Sequence, residues 1–182
     1  MIVRLVGSEM CIRDRLALLG ILKAASLDPQ GMGVDMEGGK PGWNDAMNGL
    51  PGLLGSGMPE TYEALRILKY VHRAVEKYGR GVGLPVEFYK LVQSVLAAMD
   101  TYDSSVKDDT ADHAYWDACN NARETYRAAI MLTFDGETKD LDSNEFISIV
   151  SKFEAKLEAG IDKAVALGEG ISPTYFYYEC TD

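Results

Sequence analysis

From Pro59 to Gly168 the apolar residues recur at three- and four-residue spacing in four successive runs. This period constrains the chain more than any other feature, because such stripes are buried only when helices pack against one another. Pro59 suits the first position of a helix and Glu60 its positive end, and Leu65, Leu68, Val71, His72 and Val75 follow at helical spacing until Gly79 stops the run. Pro85 opens a second helix with the stripe Phe88, Leu91, Val92, Val95, Leu96 and Met99. A third, over 111–132, carries Tyr115, Trp116, Cys119, Ala122, Tyr126 and Ile130. The fourth starts at Asp142 and Glu145 in capping-box spacing and runs to Leu167, with Gly168 as its stop. Its stripe is Phe146, Ile149, Val150, Phe153, Leu157, Ile161 and Val165.

Ahead of these, Leu16 to Ala25 reads as the end of an apolar helix, broken by Asp28-Pro29. Residues 26–58 then form a long Gly/Pro-rich stretch without helical or strand period. Met32, Met36, Trp43, Met47, Leu50, Leu53 and Leu54 are interleaved with its glycines, which is the pattern of a packed loop. The end of the chain, Gly170 to Glu179, is aromatic and extended. Five helices in series with no strand pairs make the expected class all-α, built from helical hairpins. No period of 30 to 45 residues supports a solenoid.

The chain carries 28 acidic against 18 basic residues, a formal charge of −10, the wrong sign for gathering phosphates along a nucleic acid or an anionic membrane. Cys11, Cys119 and Cys180 are odd in number and widely spaced, so neither a disulfide framework nor a zinc cluster is indicated and a reducing cytoplasm suits them.

The apolar run Leu16 to Leu22 follows Arg4, Arg13 and Arg15, but it is too short for a bilayer, Lys23 ends it, and no small-x-small cleavage site follows. Val6-Gly7-Ser8-Glu9-Met10-Cys11-Ile12-Arg13-Asp14-Arg15 instead resembles a peptide produced when sequencing-adapter DNA is translated in frame. Residues 1–15 are therefore expected to be non-native and stand apart from the functional reading. Without their three arginines and two acids the remaining chain carries −11.

Several short motifs yield to plainer accounts. Gly79-Arg80-Gly81-Val82-Gly83 ends a helix rather than following a strand, so it reads as a helix-to-helix turn and not a nucleotide loop. Asp140-Leu141-Asp142-Ser143-Asn144 has Glu145 where a calcium loop needs glycine, and reads as a helix cap. His72 and His113 lack a second histidine at i+3 or i+4, so no metal site is expected and packing or surface roles are.

The informative stretch is Gly38 to Glu60. Asp45 stands beside Trp43 and the amides of Asn44 and Asn48 on a glycine-shaped backbone. An indole stacks on the apolar face of a pyranose, amides and carboxylates take its hydroxyls in pairs, and a carboxyl group against an aromatic wall has its pKa raised enough to hold a proton and donate it. On physics alone the alternative stands level: Trp43 is core, Asp45 caps a short helix from Ala46, and the glycines only make turns.

Gly42-Trp43-Asn44-Asp45-Ala46-Met47-Asn48-Gly49 resembles the G-D-W-N-D-G-M-N signature of the inverting disaccharide phosphorylases of the cellobiose and chitobiose phosphorylase type. The longer run from Lys40-Pro41 to Leu50-Pro51-Gly52 is similar to related cellobiose-phosphorylase-like six-hairpin glycosidases. A weaker likeness extends through Tyr115-Trp116-Asp117-Ala118-Cys119-Asn120-Asn121-Ala122-Arg123-Glu124 to Pro173-Thr174-Tyr175-Phe176-Tyr177-Tyr178-Glu179. Gly42 replaces the acid that precedes tryptophan in the phosphorylase signature, which puts one sugar contact in doubt.

The resemblance implies an (α/α)6 toroid, of which residues 16–182 would be an incomplete part, since a six-hairpin barrel needs twelve helices. It implies inverting cleavage of a glycosidic bond in a disaccharide or oligosaccharide, with Asp45 as general acid and Trp43, Asn44, Asn48 and Lys40 on the sugar. In phosphorolysis inorganic phosphate is the co-substrate and no base is required. Hydrolysis needs a second carboxylate about 6.5–9.5 Å away to activate water. Asp35, Glu37 and Glu179 are the candidates for that base or for sugar binding. Lys40 is the only cation near the motif, so a phosphate site is not accounted for. No cofactor is expected, the full-length enzyme would be a homodimer, and a carbohydrate-binding or inactive piece without chemistry is the third reading.

Overall fold

Pro59 and Pro85 each stand at the opening of a long helix, and Gly79 adopts the left-handed conformation (φ 60°) that ends the first of them, its N–H bonding to Val75 O at 2.8 Å. The computed structural model describes residues 12–36, 55–133 and 135–177. Among these are five helices: α1 (Ile12–Ala24), α2 (Met58–Tyr78), α3 (Val86–Ser104), α4 (Asp109–Ile130) and α5 (Ser143–Leu167). The chain is thus mostly helical, as the apolar period requires. No described helix is long and apolar enough to cross a membrane.

Helix α2 packs against both α1 and α5, and α3 packs against α4. Their stripes merge into one core in which Ile21, Leu68, Phe88, Phe146, Phe153 and Leu157 are wholly buried. Asp142 caps α5 as its spacing predicts, Oδ1 accepting from Asn144 N at 2.8 Å and Glu145 N at 2.9 Å. Helix α4 starts earlier than the expected 111 because Asp108 accepts from Ala111 N, and it ends at Ile130, leaving Met131 and Leu132 exposed. Only Tyr115 and Cys119 of its stripe are buried. Helix α1 begins at Ile12, four residues ahead of Leu16.

The expectation of no strand pairs is corrected, for two small antiparallel sheets join the helices. In one, β3 (Val82–Pro85) pairs with β4 (Thr138–Leu141), Val82 opposite Leu141 and Pro85 opposite Thr138. The Gly79–Gly83 turn therefore leads into a strand before α3, not directly into a helix. A Cβ on Gly81 would sit 2.5 Å from Leu141 O, so the absence of a side chain permits that close approach. The second sheet has the order β1 (Val34–Asp35), β2 (Gly55–Gly57), β5 (Tyr175–Tyr177). These strands are too short for a period of two to register, and β2 is Gly-Ser-Gly, so pairing partners rather than local propensity create them.

Candidate functional site

The β1-β2 ladder sets Asp35 opposite Ser56 and Val34 opposite Gly57, and Met36 N donates to Gly55 O at 2.9 Å. The chain thus leaves this ladder after Met36 and returns to it at Gly55. The predicted site residues Glu37, Lys40, Trp43, Asn44, Asp45 and Asn48 lie between those two points, and with Glu179 they lie outside the described residues. Asp35 is the sequence candidate whose surroundings are described.

Asp28 fixes the loop leading into β1. Its side chain is 1% exposed, and its carboxylate accepts from Met32 N (3.0 Å), Gly33 N (2.7 Å) and Ser56 Oγ (2.6 Å). Three hydrogen bonds satisfy a buried carboxylate that would otherwise be costly, and the last ties β1's loop to β2. Gly33 is required by this closeness, since a Cβ there would sit 2.4 Å from Ser56 Oγ.

Asp35 is half-buried and receives a hydrogen bond from Trp116 Nε1 on α4 at 3.0 Å. Burial pushes its carboxyl up from the ordinary 3.8 to about 6; the Trp116 hydrogen bond opposes this, the Asp28 charge adds to it, and Arg123 draws it back. The His113 ring also meets Trp116, its centroid 5.5 Å from that of the indole and its plane tilted by 50°. Asp35 opens onto a cleft of about 320 Å³ whose lining includes Lys23, Arg123, Tyr126 and Arg127. Lys23 faces Glu60 at 3.5 Å and Arg127 pairs with Glu124 at 2.8 Å, whereas Arg123 donates to the neutral Asn120 Oδ1 at 2.8 Å.

The cleft offers a set of cations and a carboxyl group that changes charge near neutrality and is held by an indole, which suits proton transfer and binding of a hydroxylated or anionic group. Sequence reasoning missed Arg123 and Arg127 as cleft residues and read Asp28 only as a helix breaker. The signal for the arginines was there: Trp116 and Arg123 are two turns apart on α4 and share its β1-facing side. His72, away from this cleft, has its Nδ1 3.0 Å from Glu154 Oε2 and so joins α2 to α5. No cluster of His, Cys, Asp and Glu among the described residues could hold a metal.

The chain matches no protein-family model and no curated protein.

Proposed function

We propose that this chain carries part of the sugar site of a cytoplasmic enzyme of the (α/α)6 type that cleaves a glycosidic bond in a disaccharide or oligosaccharide with inversion, by phosphorolysis, with Asp45 as general acid. One observation carries the reading: the segments that flank the first resembling stretch pair in one small sheet, and that sheet also takes residues from the other two stretches. β1 precedes the first stretch in sequence and β2 follows it, the second stretch supplies Trp116 to Asp35, and the third supplies β5, whose Tyr177, Phe176 and Tyr175 pair with Gly55, Ser56 and Gly57. Lys23, Arg123 and Arg127 beside Asp35 support an anionic co-substrate, which Lys40 alone did not account for.

Hydrolysis is the second reading, and Asp35 favours it. A carboxyl group that ionises at about 6 is mostly a carboxylate at neutral pH yet basic enough to draw a proton from water.

Incubation with a panel of disaccharides, with and without inorganic phosphate, tests both. Sugar 1-phosphate formed only with phosphate supports phosphorolysis; free sugar formed without it supports hydrolysis; sugar binding without either product leaves a binding role alone. Asp45→Asn should abolish turnover with an unchanged circular dichroism spectrum, and near wild-type rates would remove Asp45 from the acid role.

A further inference from the structure

A second cleft, of about 370 Å³, opens between α3 and α5 and shares no lining residue with the Asp35 cleft. Four lysines line it, Lys107, Lys152, Lys156 and Lys163, in a chain whose formal charge is −10. Three of them have partners. Lys107 donates to Tyr102 O and faces Asp103 at 3.5 Å, and Lys152 pairs with Asp100 at 2.7 Å. Lys163 uses all three donors, on Asp112 Oδ2 at 2.9 Å, Gln30 Oε1 at 2.8 Å and Gln30 O at 3.1 Å.

Lys156 differs. Its ammonium lies 3.9 Å from the centroid of the Tyr102 ring and 4.1 Å from that of Tyr115, and it makes no hydrogen bond or ion pair among the described residues. Two ring faces attract a cation but give its three N–H donors no acceptor oxygen. Asp112, whose charge favours the ammonium, accepts from Tyr102 Oη at 2.6 Å on Oδ1 and from Lys163 on Oδ2. Burial lowers the ammonium's hold on its proton, Asp112 and Cys119 raise it, Lys107 lowers it and Asp103 raises it. Gly31, with φ 72°, lies beside it, a Cβ there coming within ordinary contact of Nζ at 3.7 Å.

We infer that this cleft is an oxyanion site for a phosphorylated small molecule, with Lys156 as its central donor. A half-buried ammonium without an acceptor oxygen is stabilised by an anion that brings several at once, and a tetrahedral phosphate that reaches Lys156 has further oxygens for Lys107 and Lys152, the cleft lysines whose donors are not all taken. A planar carboxylate meets fewer of them. The volume matches a small ligand.

The test is a calorimetric titration of the whole purified chain at neutral pH with inorganic phosphate, and separately with acetate. Phosphate is expected to saturate with a Kd of about 1 mM, Lys156→Met to weaken it about tenfold, and Lys156→Arg to retain it. Lys107→Ala, at an exposed position, should weaken it about threefold, which keeps the assignment testable if Lys156→Met does not fold. The inference is overturned by a wild-type chain that does not saturate, by acetate binding as tightly as phosphate, or by either lysine variant binding as the wild type does. Arg123→Gln separates the two clefts: phosphate binding lost there and kept in Lys156→Met belongs to the Asp35 cleft, and also overturns it.

Discussion

Trp116 Nε1 donates a hydrogen bond of 3.0 Å to Asp35 Oδ2 across 81 residues of sequence. The bond favours the ionised carboxyl and is the main restraint on a group that burial drives upward. Trp116→Phe removes the donor while keeping an aromatic wall, so the Asp35 titration should rise from about 6 by about half a unit to one unit. Carbon-detected NMR of the Asp35 carboxyl reads this directly, and a midpoint that falls would mean that water replaces the indole as donor.

The same group makes stability depend on pH. Asp35 binds its proton more tightly when folded, at about 6 against an ordinary 3.8, so its ionisation costs stability. The cost is complete above about pH 6, shrinks as pH falls through that value, and is gone below 3.8. Asp35→Asn should therefore stabilise the chain at pH 7.5 by about 1–2 kcal/mol, the lower part of what the shift implies because the carboxyl is partly solvated. At about pH 4 the two proteins should melt together. Urea titrations at both pH values compare them, and an equal gain at each would exclude the ionisation as its source.

Asp28 is the opposite kind of carboxylate, one whose acceptor capacity holds the site's frame. Asp28→Ala orphans Met32 N, Gly33 N and Ser56 Oγ in a buried place and should cost about 2–4 kcal/mol, whereas Ser56→Ala removes one bond and should cost about 1 kcal/mol. Denaturant midpoints give both values. Asp28→Asn should also lower the Asp35 titration, because the Asp28 charge is among the causes that raise it.

The helices were legible because Phe88, Phe146, Phe153 and their neighbours repeat over many turns and because Pro59, Gly79, Pro85, Asp142 and Gly168 act locally on the backbone. The strands were not, since β2 has no side chains to bury beyond Ser56 and owes its existence to partners at residues 34–35 and 175–177. Asp35 was legible as a candidate only by its nearness to the tryptophan motif. Its perturbed ionisation depends on Trp116, Asp28 and Arg123, and two of those come from α4, far along the chain. Asp28 resembled a helix breaker because a buried carboxylate and a turn-forming one are the same residue until their donors are known. The lysine cleft left no local signature either: Lys107, Lys152, Lys156 and Lys163 occupy ordinary helical or turn positions, and only the packing of α3 on one side and α5 on the other gathers them.

Gly160 gives the sharpest test of how α5 meets the loop ahead of β1. A Cβ at this position would sit 2.1 Å from Gly31 O and 3.3 Å from Met32 Cα, backbone atoms that cannot swing aside. In an open helix alanine would be better than glycine by about 1 kcal/mol, so a stabilised Gly160→Ala protein is what propensity alone predicts. The contact reverses the sign: α5 and residues 31–32 must move apart, and overpacking of this kind costs about 1–3 kcal/mol. Movement there displaces Gln30 and Gly31, which share the lysine cleft with Lys156 and Lys163, so phosphate binding should weaken along with stability. Circular dichroism in urea measures the first and the phosphate titration the second; a Gly160→Ala chain as stable as the wild type would show that helix and loop do not meet as closely as described.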